Sequence, residues 1–349
     1  MRRITPFAVS VLLISACGSG SAVTTTTPPA TTTTVLVGEL AYAYADGDQL
    51  SYQISIEQDI SMKADGNEIA TASEDFPGTA EIAQTIGGSL FYDVSAGPEQ
   101  GTHTLNITSE LDQLEMTGTV NGEPVDPTGD QLDFASIEPI KATLVIDGQG
   151  KVLDAEAGGL DLSQMLGDLG ALQDLAGGNL GQHLGPPFPG RSLVLGETWT
   201  DEQTVEALEQ TVTTKASYTV TGRDEIDGHE VFVIESHATT SAFTLDLGQF
   251  LASLFGGFAG TAEDQASQAE LEAMLAQLEF RISVDDVNVT GTTWFDPVAG
   301  LVRKAEQASD LAMTMDMAVP DEASGELMEM TMVMEMAQRM SAALDTDSA

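Results

Sequence analysis

Apolar and polar residues alternate through most of this chain, and that period of two constrains its fold more than any other feature. A strand turns successive side chains to opposite faces, so an alternating run can bury one face and wet the other. Leu50, Tyr52, Ile54 and Ile56, with Ser51, Gln53 and Ser55 between them, form such a run. Gly88 to Val94, Thr102 to Thr108, Leu114 to Val120, Ala142 to Ile146 and Lys151 to Ala155 read the same way. So do Val212 to Thr221, Glu230 to Ser236, Ser241 to Leu245, Phe280 to Phe295 and Leu301 to Ala308. Turn residues separate them. Asp147-Gly148-Gln149-Gly150, Asp224 to Gly228 and Asp296-Pro297-Val298-Ala299-Gly300 are hairpin signals, and strands joined by short turns pair antiparallel.

Three stretches follow helical spacing instead: Leu160 to Leu175, Leu245 to Phe258 and Glu263 to Leu278. The expected fold is therefore mainly β or α+β. It is a large curved antiparallel sheet of two meander halves, half-barrel-like, with a few covering amphipathic helices. The folded domain runs from 35 to 349, with halves of about 35–185 and 186–349 meeting at Gly185-Pro186-Pro187-Phe188-Pro189-Gly190.

One hairpin stands out by composition. Of the chain's 14 methionines, eight lie between 313 and 336. Met313, Met315 and Met317 alternate with Thr314 and Asp316, and after a segment at 320–325 Met328, Met330, Met332, Met334 and Met336 alternate with Glu329, Thr331, Val333 and Glu335. That pattern gives one thioether face and one polar face. β-branched residues suit strands better, so the choice of methionine calls for a reason. A plain core face is one. Flexible thioethers that adapt to varied apolar ligands are another. Soft Cu(I) is a third, disfavoured because alternate residues on one strand sit about 6.5–7 Å apart and no His or Cys lies nearby in sequence. The lining expected for an apolar ligand is Met313, Met315, Met317, Met330, Met332 and Met334, with Phe250, Leu254, Phe255 and Phe258 from the second helical stretch.

Charge excludes several classes of function. Asp and Glu number 55 against 12 Lys and Arg, for a formal net charge of −43. A nucleic-acid binder needs a basic face, and the chain cannot build a large one. The Asp-Gly pairs that faintly resemble calcium loops lack spaced ligands and a terminal Glu, and read as turns.

The N-terminus carries the most specific motif. Arg2 and Arg3 precede an apolar run from Ile4 to Ile14, which is too short to span a bilayer. It ends in Ile14-Ser15-Ala16-Cys17, which resembles the bacterial lipobox, and Cys17 is the only cysteine. The resemblance implies a signal peptide at 1–16, removed before Cys17, and lipid on the Cys17 thiol. Residues 17–34 are then the lipidated residue and a Thr/Pro-rich tether that cannot form a core. Together with Leu193-Val194-Leu195-Gly196-Glu197-Thr198-Trp199, Gly222 to Ile234 and Phe295 to Leu301, these features resemble uncharacterised bacterial surface lipoproteins. More loosely, the architecture is similar to LolA- and LppX-like lipoproteins, in which a half-barrel closed by helices surrounds a lipid cavity.

Catalytic signatures are not found. There is no nucleophile elbow, zinc-protease helix or P-loop, and His103, His183, His229 and His237 are dispersed. The expectation is a non-enzymatic lipoprotein without cofactor or metal. It is held to the extracytoplasmic face of the cell membrane by Cys17 and binds a lipid or other apolar molecule, with no nucleic-acid partner. The alternatives are a structural or protein-interaction lipoprotein with no ligand cavity and, less favoured, a secreted hydrolase with carboxylates converging on a polar cleft.

Overall fold

Seventeen strands carry the structure, a computed structural model that describes residues 35–65, 78–124, 139–157, 160–161, 185–207, 210–246, 279–320 and 327–345. In chain order they are β1 (Leu36–Glu39), β2 (Gln49–Asp65), β3 (Thr79–Ala96), β4 (Thr102–Val120), β5 (Glu123–Pro124) and β6 (Ile140–Asp147). Next come β7 (Val152–Ala157), β8 (Leu160–Asp161), β9 (Ser192–Val194), β10 (Thr198–Ala207), β11 (Gln210–Ile226) and β12 (His229–Thr240). The last are β13 (Phe243–Asp246), β14 (Glu279–Val284), β15 (Val287–Asp296), β16 (Leu301–Pro320) and β17 (Leu327–Leu344). All lie in the unit Val35–Ala349.

Fifteen strands form one antiparallel sheet: twelve follow the order β10-β11-β12-β15-β16-β17-β2-β3-β4-β6-β7-β8, while β14 pairs with β16, β13 with β14 and β5 with β4. Among the described residues β10 and β8 do not pair, so the sheet is open and not a closed barrel. Each half of the chain is a meander: β2 to β8 runs outward from the middle, and β10 to β17 runs inward to it. The seam is the pairing of β17 with β2, from Thr331↔Asp65 to Leu344↔Tyr52. The last strand of the chain thus sits against the first strand of the large sheet.

Several strands are longer than their apolar runs predict. Thr102 to Thr108 and Leu114 to Val120 are one strand, β4. The inward-facing residues switch phase within it, from the buried Leu105 and Ile107 to the half-buried Leu114 and Met116, and a bulge near Asp112 absorbs the extra residue. Conversely, Phe280 to Phe295 divides into β14 and β15 at Asp285-Asp286, and both parts lie end to end along β16.

The expected helices fall almost wholly on residues outside those described, as do Phe250, Leu254, Phe255 and Phe258. The first residues of two of them, Leu160 and Leu245, are described, and there the helical expectation is corrected. Leu160–Asp161 is a short strand on β7, and Leu245 pairs with Ile282 within β13–β14. Phe243 and Leu245 alternate onto a waiting ladder beside Val284 and Ile282, and ladder pairing overrides the helical spacing there.

The main core sits at one end of the sheet, on one face. Tyr52, Leu90, Leu105, Ile107, Leu144 and Ile146 from the first half meet Trp199, Tyr218, Val220, Ile234, Phe295 and Val302 from the second. Two non-sheet segments plug it. Residues 40–48 supply Leu40, Tyr42 and Tyr44, and the Gly185–Gly190 stretch supplies Phe188. That stretch does more than separate the halves. Proline lacks an N–H, so a buried Pro-Pro backbone has carbonyls to satisfy and few donors. Tyr42 Oη donates to the Pro186 carbonyl at 3.1 Å, and Trp199 Nε1 donates to that of Pro187 at 2.8 Å. The rings of Tyr42, Phe188 and Phe295 pack at 4.7–5.5 Å between centroids.

Candidate functional site

The two faces of the sheet differ sharply away from that core, around β16, β17 and β2. One face is apolar. Cross-strand partners there are Met313↔Met334, Met315↔Met332 and Met317↔Met330, and Met334 continues to Met62 on β2. The expected thioether face of the hairpin is therefore present, and β2 extends it. Met332 is buried, while Met313, Met315, Met330 and Met334 are half-buried. Phe243, Val284, Val287 and Leu311 form a second, smaller core beside it, with Ile282, Met313 and Met336 packed against them.

A row of polar residues separates this region from the main core. Ser309, Gln338, Gln58 and Gln84 lie directly across from one another on four adjacent strands. Gln338 is only 8% exposed, and the Gln84 side chain donates to that of Gln58. Sequence reading missed this row, although its signal was available. Ile56-x-Gln58-x-Ile60, Ile82-x-Gln84-x-Ile86 and Met336-x-Gln338-x-Met340 each put one glutamine in the middle of an apolar face.

The opposite face is acidic and carries two clefts. One of about 690 Å³ is lined by Asp59, Glu81, Asp286, Asp310 and Glu335, without a Lys or Arg. The other, of about 580 Å³, holds Glu57, Glu235, Glu306 and Arg339. None of the six methionines of the expected lining borders either cleft. Within the larger cleft no two carboxylates are direct ladder partners. Asp310 and Asp59 are separated by Ala337, and Glu335 and Glu81 by Ser61. Like charges directly opposite one another destabilise a sheet, and setting them two strands apart, roughly 10 Å, relieves the repulsion. No aromatic ring lines this cleft.

The densest polar cluster lies elsewhere, at the β15–β16 turn. Asp296 is 1% exposed, and its Oδ1 accepts the backbone N–H groups of Val298 and Ala299, both at 2.9 Å. Its Oδ2 takes Nε of Arg303 at 3.2 Å and an outer nitrogen of the same guanidinium at 2.9 Å, with His229 Nδ1 at 3.1 Å. Burial pushes the Asp296 carboxyl up, but the bonds from Ala299, Arg303 and Val298 outweigh it and hold the carboxyl below its ordinary range. The contacts of His229 in this cluster are to Asp296 and Arg303, and together they secure the β15–β16 hairpin. His237 is exposed and His103 packs edge-on against Tyr44. His183 and Cys17 lie outside the described residues. Among those described, no three His, Cys, Asp or Glu side chains could hold a metal together, and no helix is long and apolar enough to cross a membrane.

No protein-family model matches this sequence, and no curated protein is significantly similar to it. Solved structures give only faint likenesses. The outer membrane protein OprG of Pseudomonas aeruginosa aligns at 7% identity and a TM-score of 0.20, over 87% of this chain and 98% of that one. DynF, from the dynemicin biosynthesis pathway of Micromonospora chersina, aligns at 8% identity and a TM-score of 0.18, over 95% and 96%. OccK7 of Pseudomonas aeruginosa aligns at 7% identity and a TM-score of 0.17, over 86% and 99%. These values are too low to carry any argument about fold or function. What the residues themselves define is an open, acidic, antiparallel-sheet protein with one thioether face.

Proposed function

We propose that this chain is an extracytoplasmic lipoprotein, held to the cell membrane through lipid on Cys17, that binds a lipid or other apolar molecule on the methionine face and performs no chemistry. The observation that carries the reading is the run of paired thioethers over β16, β17 and β2, half-buried rather than sealed into the main core. Met side chains flex through three rotatable bonds, and such a surface moulds to acyl chains of differing shape. The glutamine row gives it a polar margin at which an amphiphile's head can hydrogen-bond. The lipobox-like Ile14-Ser15-Ala16-Cys17 and the Thr/Pro tether support the anchor and the location.

The test is native mass spectrometry of the full chain released from detergent, followed by organic extraction. A reproducible adduct that extracts as lipid, and is lost in Met332→Lys, is the expected result. A bare mass that stays bare after incubation with phospholipid vesicles overturns the reading. One observation favours a second reading, a protein-interaction lipoprotein: the cleft of about 690 Å³ with five carboxylates and no cation in its lining. Such a surface suits a cationic partner protein, and that interaction weakens steeply with salt.

A further inference from the structure

Methionine sulfur is a soft ligand that prefers Cu(I) over the hard cations a carboxylate takes. Along a single strand the sulfurs are too far apart to share an ion, and the hairpin register removes that obstacle. Met313 faces Met334 and Met315 faces Met332, so four thioether residues occupy the corners of one rectangle on one face. Direct cross-strand Cβ atoms are about 5 Å apart and alternate residues along a strand about 7 Å, which puts the rectangle's centre about 4 Å from each Cβ. A methionine side chain reaches that far, and its free χ angles let all four sulfurs turn toward the centre. Three of the four are half-buried and Met332 is buried, so the position is sheltered from water. Ile or Val would fill such a face with apolar surface and suit a strand better. What thioethers add over them is a lone pair.

We propose that Met313, Met315, Met332 and Met334 form a four-thioether site for a soft monovalent metal ion, Cu(I) in the first instance. The site does not rest on the apolar-ligand reading, although the two share side chains. A thioether has no proton to lose, so Cu(I) affinity at this site is flat between about pH 5 and pH 8, whereas carboxylate, imidazole and thiolate sites weaken as pH falls.

The experiment uses the full-length protein in detergent under anaerobic conditions, with Cu(I) held by a chromogenic Cu(I) chelator as the competing probe. The expected result is uptake of one Cu(I) with an all-sulfur first shell by X-ray absorption. That uptake persists in Cys17→Ser, which removes the only cysteine sulfur. In Met313→Leu/Met334→Leu and in Met315→Leu/Met332→Leu, affinity falls roughly tenfold or more, since each double variant halves the donor set. These swaps nearly conserve volume and leave the fold in place. A measurement without variants runs alongside: in ¹³C-methyl-methionine protein, Ag(I) shifts four methyl resonances together. No uptake by the wild type overturns the proposal. So does uptake that survives in both double variants, disappears with Cys17, or shows an oxygen or nitrogen shell. Lipid adducts are scored separately, by native mass and organic extraction of the wild-type protein without added metal, so failure of the metal site and failure of the apolar-ligand reading are told apart.

Discussion

Asp296 shows how much one buried carboxylate can hold. It caps the β15–β16 turn with one oxygen and neutralises Arg303, itself 10% exposed, with the other. Asp296→Ala leaves that guanidinium buried without its counter-ion, and urea denaturation at neutral pH should show a loss of about 3–5 kcal/mol. Because the folded carboxyl is held below its ordinary value, its contribution is complete above the unfolded pKa of about 4 and is lost as pH falls through the folded one. Acid denaturation of the wild type should therefore flatten in Asp296→Asn. The tyrosines behave in the opposite sense. All five are buried, and burial is the leading reason their phenols stay protonated above the ordinary range. A raised pKa contributes stability that is full below about pH 10 and is lost as pH rises beyond it. Absorbance at 295 nm should show no phenolate until the protein unfolds, and then five ionise together. Gly300 is a steric point on the same hairpin. Its φ is +66°, its carbonyl accepts the Ala43 N–H at 3.2 Å, and a Cβ there would run into Ala43 itself. Gly300→Ala should cost more than the roughly 1 kcal/mol of a left-handed residue alone, read as a fall in melting temperature.

Most strands were legible because one half-buried face imposes a period of two on its residues. Leu50 to Ile56 and the methionine hairpin show the rule at work. Bulges were not legible. The phase change between Ile107 and Leu114 looks like two strands with a loop, and only the partner strand β3, continuous through Gly87-Gly88, makes it one. Turn chemistry was sound where both central residues take positive φ, as at Asp227 and Gly228 with φ of 50° and 80°. The Pro-Pro stretch was read as a break because its role depends on donors far away in sequence, Tyr42 and Trp199. For the candidate site, the methionine face could be read from alternation. The rectangle of Met313, Met315, Met332 and Met334 could not, because register belongs to a pair of strands. The glutamine row supplies a prediction at this scale. Gln338→Met would fuse the two apolar regions on β17 and leave the Gln84–Gln58 bond intact. It should leave stability within about 1 kcal/mol, since the lost polar group was itself buried. If the row orients an amphiphile, Gln338→Met weakens retention of lipid while stability holds.

At the scale of the whole molecule the two meanders act as one body. The β17–β2 ladder joins them, and residues from both share the core around Phe188 and Phe295. A protease site inserted between Asp161 and Gly185 tests this: after cleavage the two fragments should elute together from gel filtration and unfold in one transition. Separate elution would mean that each meander folds alone. The large share of pairings between distant residues also predicts slow refolding, in milliseconds to seconds rather than microseconds. The position of that ladder has a consequence in time. A ribosome makes β2 well before β17, the last strand among the described residues. At about 5–20 residues per second, roughly a quarter of a minute to a minute passes between them. Throughout that interval one edge of β2, seventeen residues of ready-made strand, faces whatever the cell presents to it. The ladder on that edge is completed only when β17 arrives. Truncation of even the last strand should then yield a sticky, protease-marked product, with the damage appearing at the opposite end of the sequence.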